Sequence, residues 1–291
     1  MASLVLEKTS RLASVELAGK PHIGLPERYS IVVQIMQTIE LDFTSTRDVS
    51  RLDAAFRIRG TLEWQLREEF LKGVQHAFSR KPDLATRLHG GRIVRLGKRG
   101  GSRSSLFPSK KNAATSHVAV YMPVESRLEQ AYALCLERHP SVVAYRTQAI
   151  SIKTPGGRAH WPDFLILDDQ GRVFVREVKH SKNFLTDDYR SKVEWVDTFL
   201  SRVGVDYALV DRDELPSDLV LQHFKSIHHS YPRIPLKFEI ERALAAIPSL
   251  LPCPYQTLVE ALGDVAKHLL FVGVLKIDWE KPFDMGATVW I

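Results

Sequence analysis

His160-Trp-Pro-Asp-Phe-Leu-Ile-Leu-Asp-Asp-Gln-Gly-Arg-Val-Phe-Val-Arg-Glu-Val-Lys179 is the stretch that decides how this chain is read. Two apolar runs flank the polar Asp168-Asp-Gln-Gly171, whose residue types suit a tight turn, so the stretch predicts a β-hairpin. Side chains alternate along a strand, which puts Glu177 and Lys179 on one face and points Val178 into the core. The hairpin also carries Asp163 toward Glu177. Two carboxylates and one ammonium are thus expected to converge at one end of a small sheet.

That combination suits phosphodiester hydrolysis, which needs a water made nucleophilic near neutral pH and charge stabilised on the phosphate oxygens. Hard divalent cations do both. Mg²⁺, or Mn²⁺ in its place, takes oxygen ligands and keeps several waters, so one or two carboxylates hold it. Asp163 and Glu177 are the expected metal ligands, and the Val178 carbonyl is a possible third. Lys179 supplies a compact positive charge beside them. A further carboxylate is expected from a helix over residues 125–138, where Leu128, Ala131, Tyr132, Cys135 and Leu136 follow a buried helical stripe. Glu129 lies at the edge of that stripe and is assigned to the metal, with Glu125 one turn earlier as its rival.

A lone Glu-x-Lys on a strand is ordinarily a solvated pair. The added Asp163 at hairpin distance and the Glu-bearing helix upstream raise it to a candidate site. The strings Glu125-Ser-Arg-Leu-Glu-Gln-Ala-Tyr-Ala-Leu-Cys-Leu-Glu137, Val143-Ala-Tyr-Arg-Thr-Gln148, Trp161-Pro-Asp-Phe-Leu165 and Arg176-Glu-Val-Lys179 resemble the TnsA endonucleases of heteromeric bacterial cut-and-paste transposons. Those enzymes are relatives of the PD-(D/E)xK restriction endonucleases. The likeness covers residues 107–215 and implies a restriction-endonuclease-like α/β fold, a mixed sheet flanked by helices. It implies that Glu129, Asp163, Glu177 and Lys179 hold the catalytic positions, with Glu125, Gln148 and Val178 auxiliary. Gln replaces the equivalent of Glu177 in the best-known members, so this chain is nearer the general restriction-enzyme pattern.

The resemblance also implies partners. Such a subunit cleaves the 5′ ends of a transposon, on double-stranded DNA, while a TnsB-like transposase of the DDE type processes the 3′ ends under a TnsC-like AAA+ ATPase. A stand-alone restriction or repair nuclease, or a non-catalytic DNA-binding subunit, is the alternative expectation.

The 291 residues exceed what one hydrophobic core usually organises, and the formal net charge of +6 favours a polyanionic partner. Its distribution is uneven. From Leu84 to Val124 there is no Asp or Glu, whereas Arg87, Arg92, Arg95, Lys98, Arg99, Arg103, Lys110 and Lys111 all fall there. With Gly and Ser at its centre, residues 96–112 read as a basic linker lying along a phosphate backbone. Lys182, just past the site, is a further candidate phosphate contact. The only two cysteines, Cys135 and Cys253, lack metal-ligand spacing, and no run approaches a membrane span. A cytoplasmic protein that does not engage membranes is expected.

Residues 1–95 are expected to form a separate N-terminal module, with an apolar stretch at 31–43 and a helix over 61–78. The nuclease core is expected over 113–215, ending in a helix at 188–203 and a strand at 205–210 as a βαβ unit. Residues 216–291 predict helices at 218–229, 236–247, 255–262 and 264–271, then two alternating stretches, a winged-helix-like domain for DNA or protein. Lys267 and His268 are the basic groups expected on its recognition helix. His228 and His229 are expected at the surface.

Overall fold

The computed structural model describes residues 62–79, 97–99, 102–113, 120–154 and 157–291; the stretch at 31–43 and Arg92 and Arg95 lie outside them. The chain is α/β. Its centre is a mixed sheet of β4 (Val142–Thr147), β7 (Phe164–Asp168), β8 (Val173–Val178) and β9 (Asp206–Val210), in the order β4-β7-β8-β9. The first two pairings are antiparallel and β8/β9 is parallel. A short side ribbon of β5 (Ile152–Lys153) and β6 (Ala159–His160) precedes β7.

The predicted hairpin forms. Gly171 takes φ 76°, a left-handed value that glycine adopts freely, and Asp168 Oδ1 accepts from the Gln170 and Arg172 amides. Strand alternation then sorts the two faces. Leu165, Leu167, Val173 and Val175 pack beneath α3 (Asp187–Arg202), through Val196 and Leu200, and beneath α1 (Leu62–Ser79), through Phe70, Val74 and Phe78. Phe164, Ile166 and Val178 enter the opposite core, with α2 (Arg127–Arg138).

Three expectations need correction. The helix at 62–79 is no part of a separate N-terminal module, since its apolar repeat packs into the sheet's own core and Ala77 O accepts from Arg146 Nε at 3.1 Å. The 96–112 segment is no free linker either. It pairs β1 (Gly97–Arg99) with β2 (Ser102–Ser109), and β2 with β3 (Val120–Val124), because Leu106, Phe107 and Met122 supply strand residues that glycine and serine mask on inspection. Finally, α2 buries more than its predicted stripe: Ala133, Leu134 and Glu137 on its other side are covered too.

That second cover comes from β2, β3 and the C-terminal helices α4 (Asp218–His229), α5 (Lys237–Leu250), α6 (Tyr255–Leu262) and α7 (Asp264–Phe271), which share one apolar core with the sheet. The predicted helix ranges hold within a few residues. Downstream, β11 (Thr288–Val289) pairs with β10 (Cys253–Pro254), and Trp290 bridges to Lys276. The two final stretches therefore meet at one bridge rather than as a long hairpin.

Glu137 locks these layers together. Its carboxylate accepts from Ser109 Oγ (2.5 Å), the Lys110 and Lys111 amides (3.1 and 3.2 Å) and Tyr145 OH (2.9 Å), and lies 3.6 Å from His228 Nε2. Burial pushes this carboxyl up, but the nearby His228, the hydrogen bond from Ser109 and the charge of Lys111 outweigh it and hold the group below the usual carboxylate range. His228, expected at the surface, is buried and stacks on Phe107 at 5.7 Å. Its place beside His229, which is exposed, gave no sign of this. Removing one member of such a buried network strands the others' polar groups. Glu137→Ala should therefore lower unfolding free energy by about 3–5 kcal/mol, read as a shift of the urea midpoint.

Candidate active site

Asp163 immediately precedes β7, and the register Phe164↔Arg176 continues to bring Asp163 beside Glu177. Asp163 Oδ2 accepts from the Val178 amide at 2.8 Å. Lys179, one residue beyond β8, places its ammonium 3.0 Å from Glu177 Oε1 and 3.9 Å from Asp163 Oδ2. The three expected groups thus meet, and Glu177 and Lys179 share a face as alternation requires. Burial draws Lys179 down, yet the charges of Asp163 and Glu177 outweigh it and raise the ammonium above its ordinary range.

Glu177 is the most enclosed of the carboxylates, 3 % exposed. Oε1 accepts from Tyr189 OH and lies 3.0 Å from Lys179 Nζ, while Oε2 accepts from Tyr207 OH at 3.2 Å and lies 2.7 Å from His160 Nε2. Lys192 Nζ lies 3.9 Å from Oε1. Burial raises this carboxyl, but the bond from His160, the charge of Lys179 and the bond from Tyr189 together bring it down to about 2. His160, Tyr189, Lys192 and Tyr207 were missed in the sequence. His160 stands in the deciding stretch, but Tyr189 and Lys192 sit on α3 and Tyr207 on β9, and only folding gathers them.

Asp163 has the opposite balance. Burial and the nearby charge of Glu129 push its carboxyl up to about 7, with Lys179 and the Val178 amide opposing. Glu129 is likewise raised, by burial first. Its carboxylate turns back on its own helix start, accepting from the Glu125 amide (2.8 Å) and Ser126 Oγ (3.0 Å). Glu125, the rival, instead accepts from Gln148 Nε2 at 2.8 Å. Gln148 takes φ 48° just after β4, its backbone N–H donates to Asp163 O at 3.0 Å, and its Oε1 is buried with no hydrogen-bond donor among the described residues. Val178 touches the site through its N–H.

Among the described residues no three His, Cys, Asp or Glu side chains stand in metal-holding geometry. The reason is visible: Glu177 is turned into its ring of donors and Glu129 into its helix cap. The donor chemistry nevertheless fits a hard divalent cation. Asp163 and Glu129 are desolvated carboxylates, both raised by burial and Asp163 also by the charge of Glu129, a deficit of positive charge that a cation relieves, and Gln148 Oε1 is an unused neutral oxygen close by.

The expected DNA contacts divide. Lys110 and Lys111 are buried: Lys110 Nζ donates to His228 O and lies over the Tyr231 ring, and Lys111 Nζ donates to His139 O and to Val142 O at 2.7 Å. They bind carbonyls of the fold, so they leave the phosphate-contact set. Lys98, Arg99 and Arg103 lie on β1 and β2, with Lys98 paired to Arg103. Lys182 is half-exposed and pairs with Glu214 at 2.5 Å. On α7, His268 is buried and Lys267 pairs with Asp264, so neither is a free basic group for a groove. No helix among the described residues is long and apolar enough to cross a membrane. The chain matches no protein-family model, and no curated protein is significantly similar to it.

Because the folded chain holds the Asp163 proton to about 7 and an unfolded carboxyl releases it near about 4, the folded state binds more protons between those values. Stability therefore falls as pH rises from 4 to 7 and stays lowered above. Asp163→Asn removes this penalty while an amide oxygen can still accept from Val178. In a metal-free buffer the variant should melt about 4–10 °C above wild type at pH 8, with the gap closing as pH approaches 4; thermal melts by circular dichroism measure it.

Proposed function

We propose that this chain is a Mg²⁺- or Mn²⁺-dependent DNA endonuclease, the TnsA-like subunit of a heteromeric transposase. The observation that carries the reading is Lys179 between Asp163 and Glu177 at the paired ends of adjacent strands. The sheet supports it further, since three antiparallel strands with a fourth added in parallel through α3 are compatible with the restriction-endonuclease-like fold that the resemblance implies.

Asp163 and Glu129 would hold the cation, and Glu177 would join them by exchanging one of its present neighbours for it. A divalent cation held there would supply the Lewis acidity that activates water near neutral pH and offsets charge on the phosphate. The chain's own residues do the rest. Lys179 sits where its ammonium can stabilise charge developing on a non-bridging oxygen, and the two carboxylates keep it protonated for that role. Glu177, kept ionised by its surroundings, anchors Lys179. Burial of the cluster keeps these charges strong by excluding water.

The C-terminal helices, with β10, β11 and the Lys276–Trp290 bridge, form a winged-helix-like unit in this reading. Loss of Lys267 and His268 as free basic groups favours protein docking over groove reading. A DDE transposase and an AAA+ ATPase are the proposed partners, and double-stranded transposon ends the substrate.

The assembled complex tests the reading. With partner proteins, end-containing DNA and Mn²⁺, Asp163→Ala and Lys179→Ala should each reduce 5′-strand cleavage by at least about 10³-fold. Folding and DNA retention should stay near wild type. Continued metal-dependent nicking by purified Asp163→Ala refutes the assignment. Charge reversal of Lys98, Arg99 and Arg103 together should flatten the plot of log affinity against log salt by about 2–3; an unchanged slope in a filter-binding titration removes this hairpin from the DNA path.

A further inference from the structure

His160 ends β6, three residues before Asp163, and is nine-tenths buried. Because β6 pairs only with β5, its ring reaches Glu177 from outside the four-stranded sheet. Nε2 lies 2.7 Å from Glu177 Oε2, and on the ring's other side Nδ1 lies 3.4 Å from Lys192 Nζ. An ammonium only donates hydrogen bonds, so the atom facing it must offer a lone pair. A ring protonated at Nδ1 would set an N–H against that ammonium. The arrangement therefore selects the tautomer with its proton on Nε2, on the side of the ring that faces the carboxylate.

Lys192 is itself held in place. It lies 3.7 Å over the Tyr189 ring, and Tyr189 donates to the other oxygen of Glu177. Glu177 thus has His160 and Tyr207 against Oε2, and Tyr189 and Lys179 against Oε1, so that both oxygens are flanked. Rotation of the carboxylate is fixed only while both sides are occupied.

We propose that His160 is a positioning residue of the nuclease reaction. Set in its Nε2-protonated form by Lys192, it holds the Glu177 carboxylate so that Oε1 presents to Lys179. The role rests on the nuclease reading above, whereas the relay Lys192 to His160 to Glu177 can be observed without it.

Two measurements on the full chain decide the matter. Two-bond ¹⁵N–¹H spectra of the imidazoles should show His160 protonated at Nε2 in wild type, shifting toward a tautomer mixture in Lys192→Met. Single-turnover cleavage in the assembled complex with Mn²⁺ should slow about 10–100-fold in His160→Ala, with half-saturating DNA within twofold of wild type. His160→Gln, whose amide nitrogen can donate to the same oxygen, should recover most of the rate. A wild-type Nδ1–H tautomer overturns the relay. Cleavage by His160→Ala at the wild-type rate, or His160→Gln no faster than His160→Ala, overturns the positioning role. If wild type itself cuts nothing, the nuclease reading falls and the positioning role with it, while the imidazole spectra still decide the relay.

Discussion

Burial of negative charge beside Lys179 is the constraint on which the site depends. Three carboxylates sit at one end of the sheet, and one ammonium lies within 3.9 Å of two of them. Coulomb forces strengthen as water is excluded, so unequal compensation separates otherwise similar groups. Glu177, ringed by His160, Lys179 and two phenols, titrates near 2; Asp163, facing Glu129, near 7. The sheet register makes this separation possible, since a one-residue slip would turn Glu177 to the opposite face.

Strand alternation and turn chemistry made the hairpin, the meeting of Asp163 with Glu177 and Lys179, and most helix ranges legible in the sequence. Those signals act over a few residues. What stayed hidden acts over longer separations: Tyr189, Lys192 and Tyr207 reach Glu177 only because β9 returns in parallel after α3. The same limit explains Lys110 and Lys111. Their run of positive charge looked solvent-facing, but the carbonyls that receive them belong to α4, the residue that caps α2 and the start of β4, none of which a local pattern reveals.

Glycine and serine also misled. Residues 97–105 carry a linker's composition, yet β1 and β2 pair there, and β2 continues into a strand that packs Phe107 into the core. Composition describes the entropy a segment must lose on ordering; it does not describe the neighbours that repay the loss. For α2 the predicted stripe packs against the core, but of its residues only Leu136 is buried, and a second layer covers the helix from the side the stripe leaves polar. Glu137 is the sign of that layer, a carboxylate tolerable in the interior only with every lone pair occupied.

Helix α2 bears Glu129 in its first turn and Glu137 and Arg138 in its last, and Arg138 reaches the Leu270 and Phe271 carbonyls at the end of α7. An α-helix resists stretching along its axis because each hydrogen bond closes one turn onto the next. These twelve residues therefore act as a strut between the acidic cluster and the C-terminal helices. Axial displacement at either end is shared by the other, which makes mechanical stiffness, as well as charge, part of what sets the distance between Glu129 and Asp163.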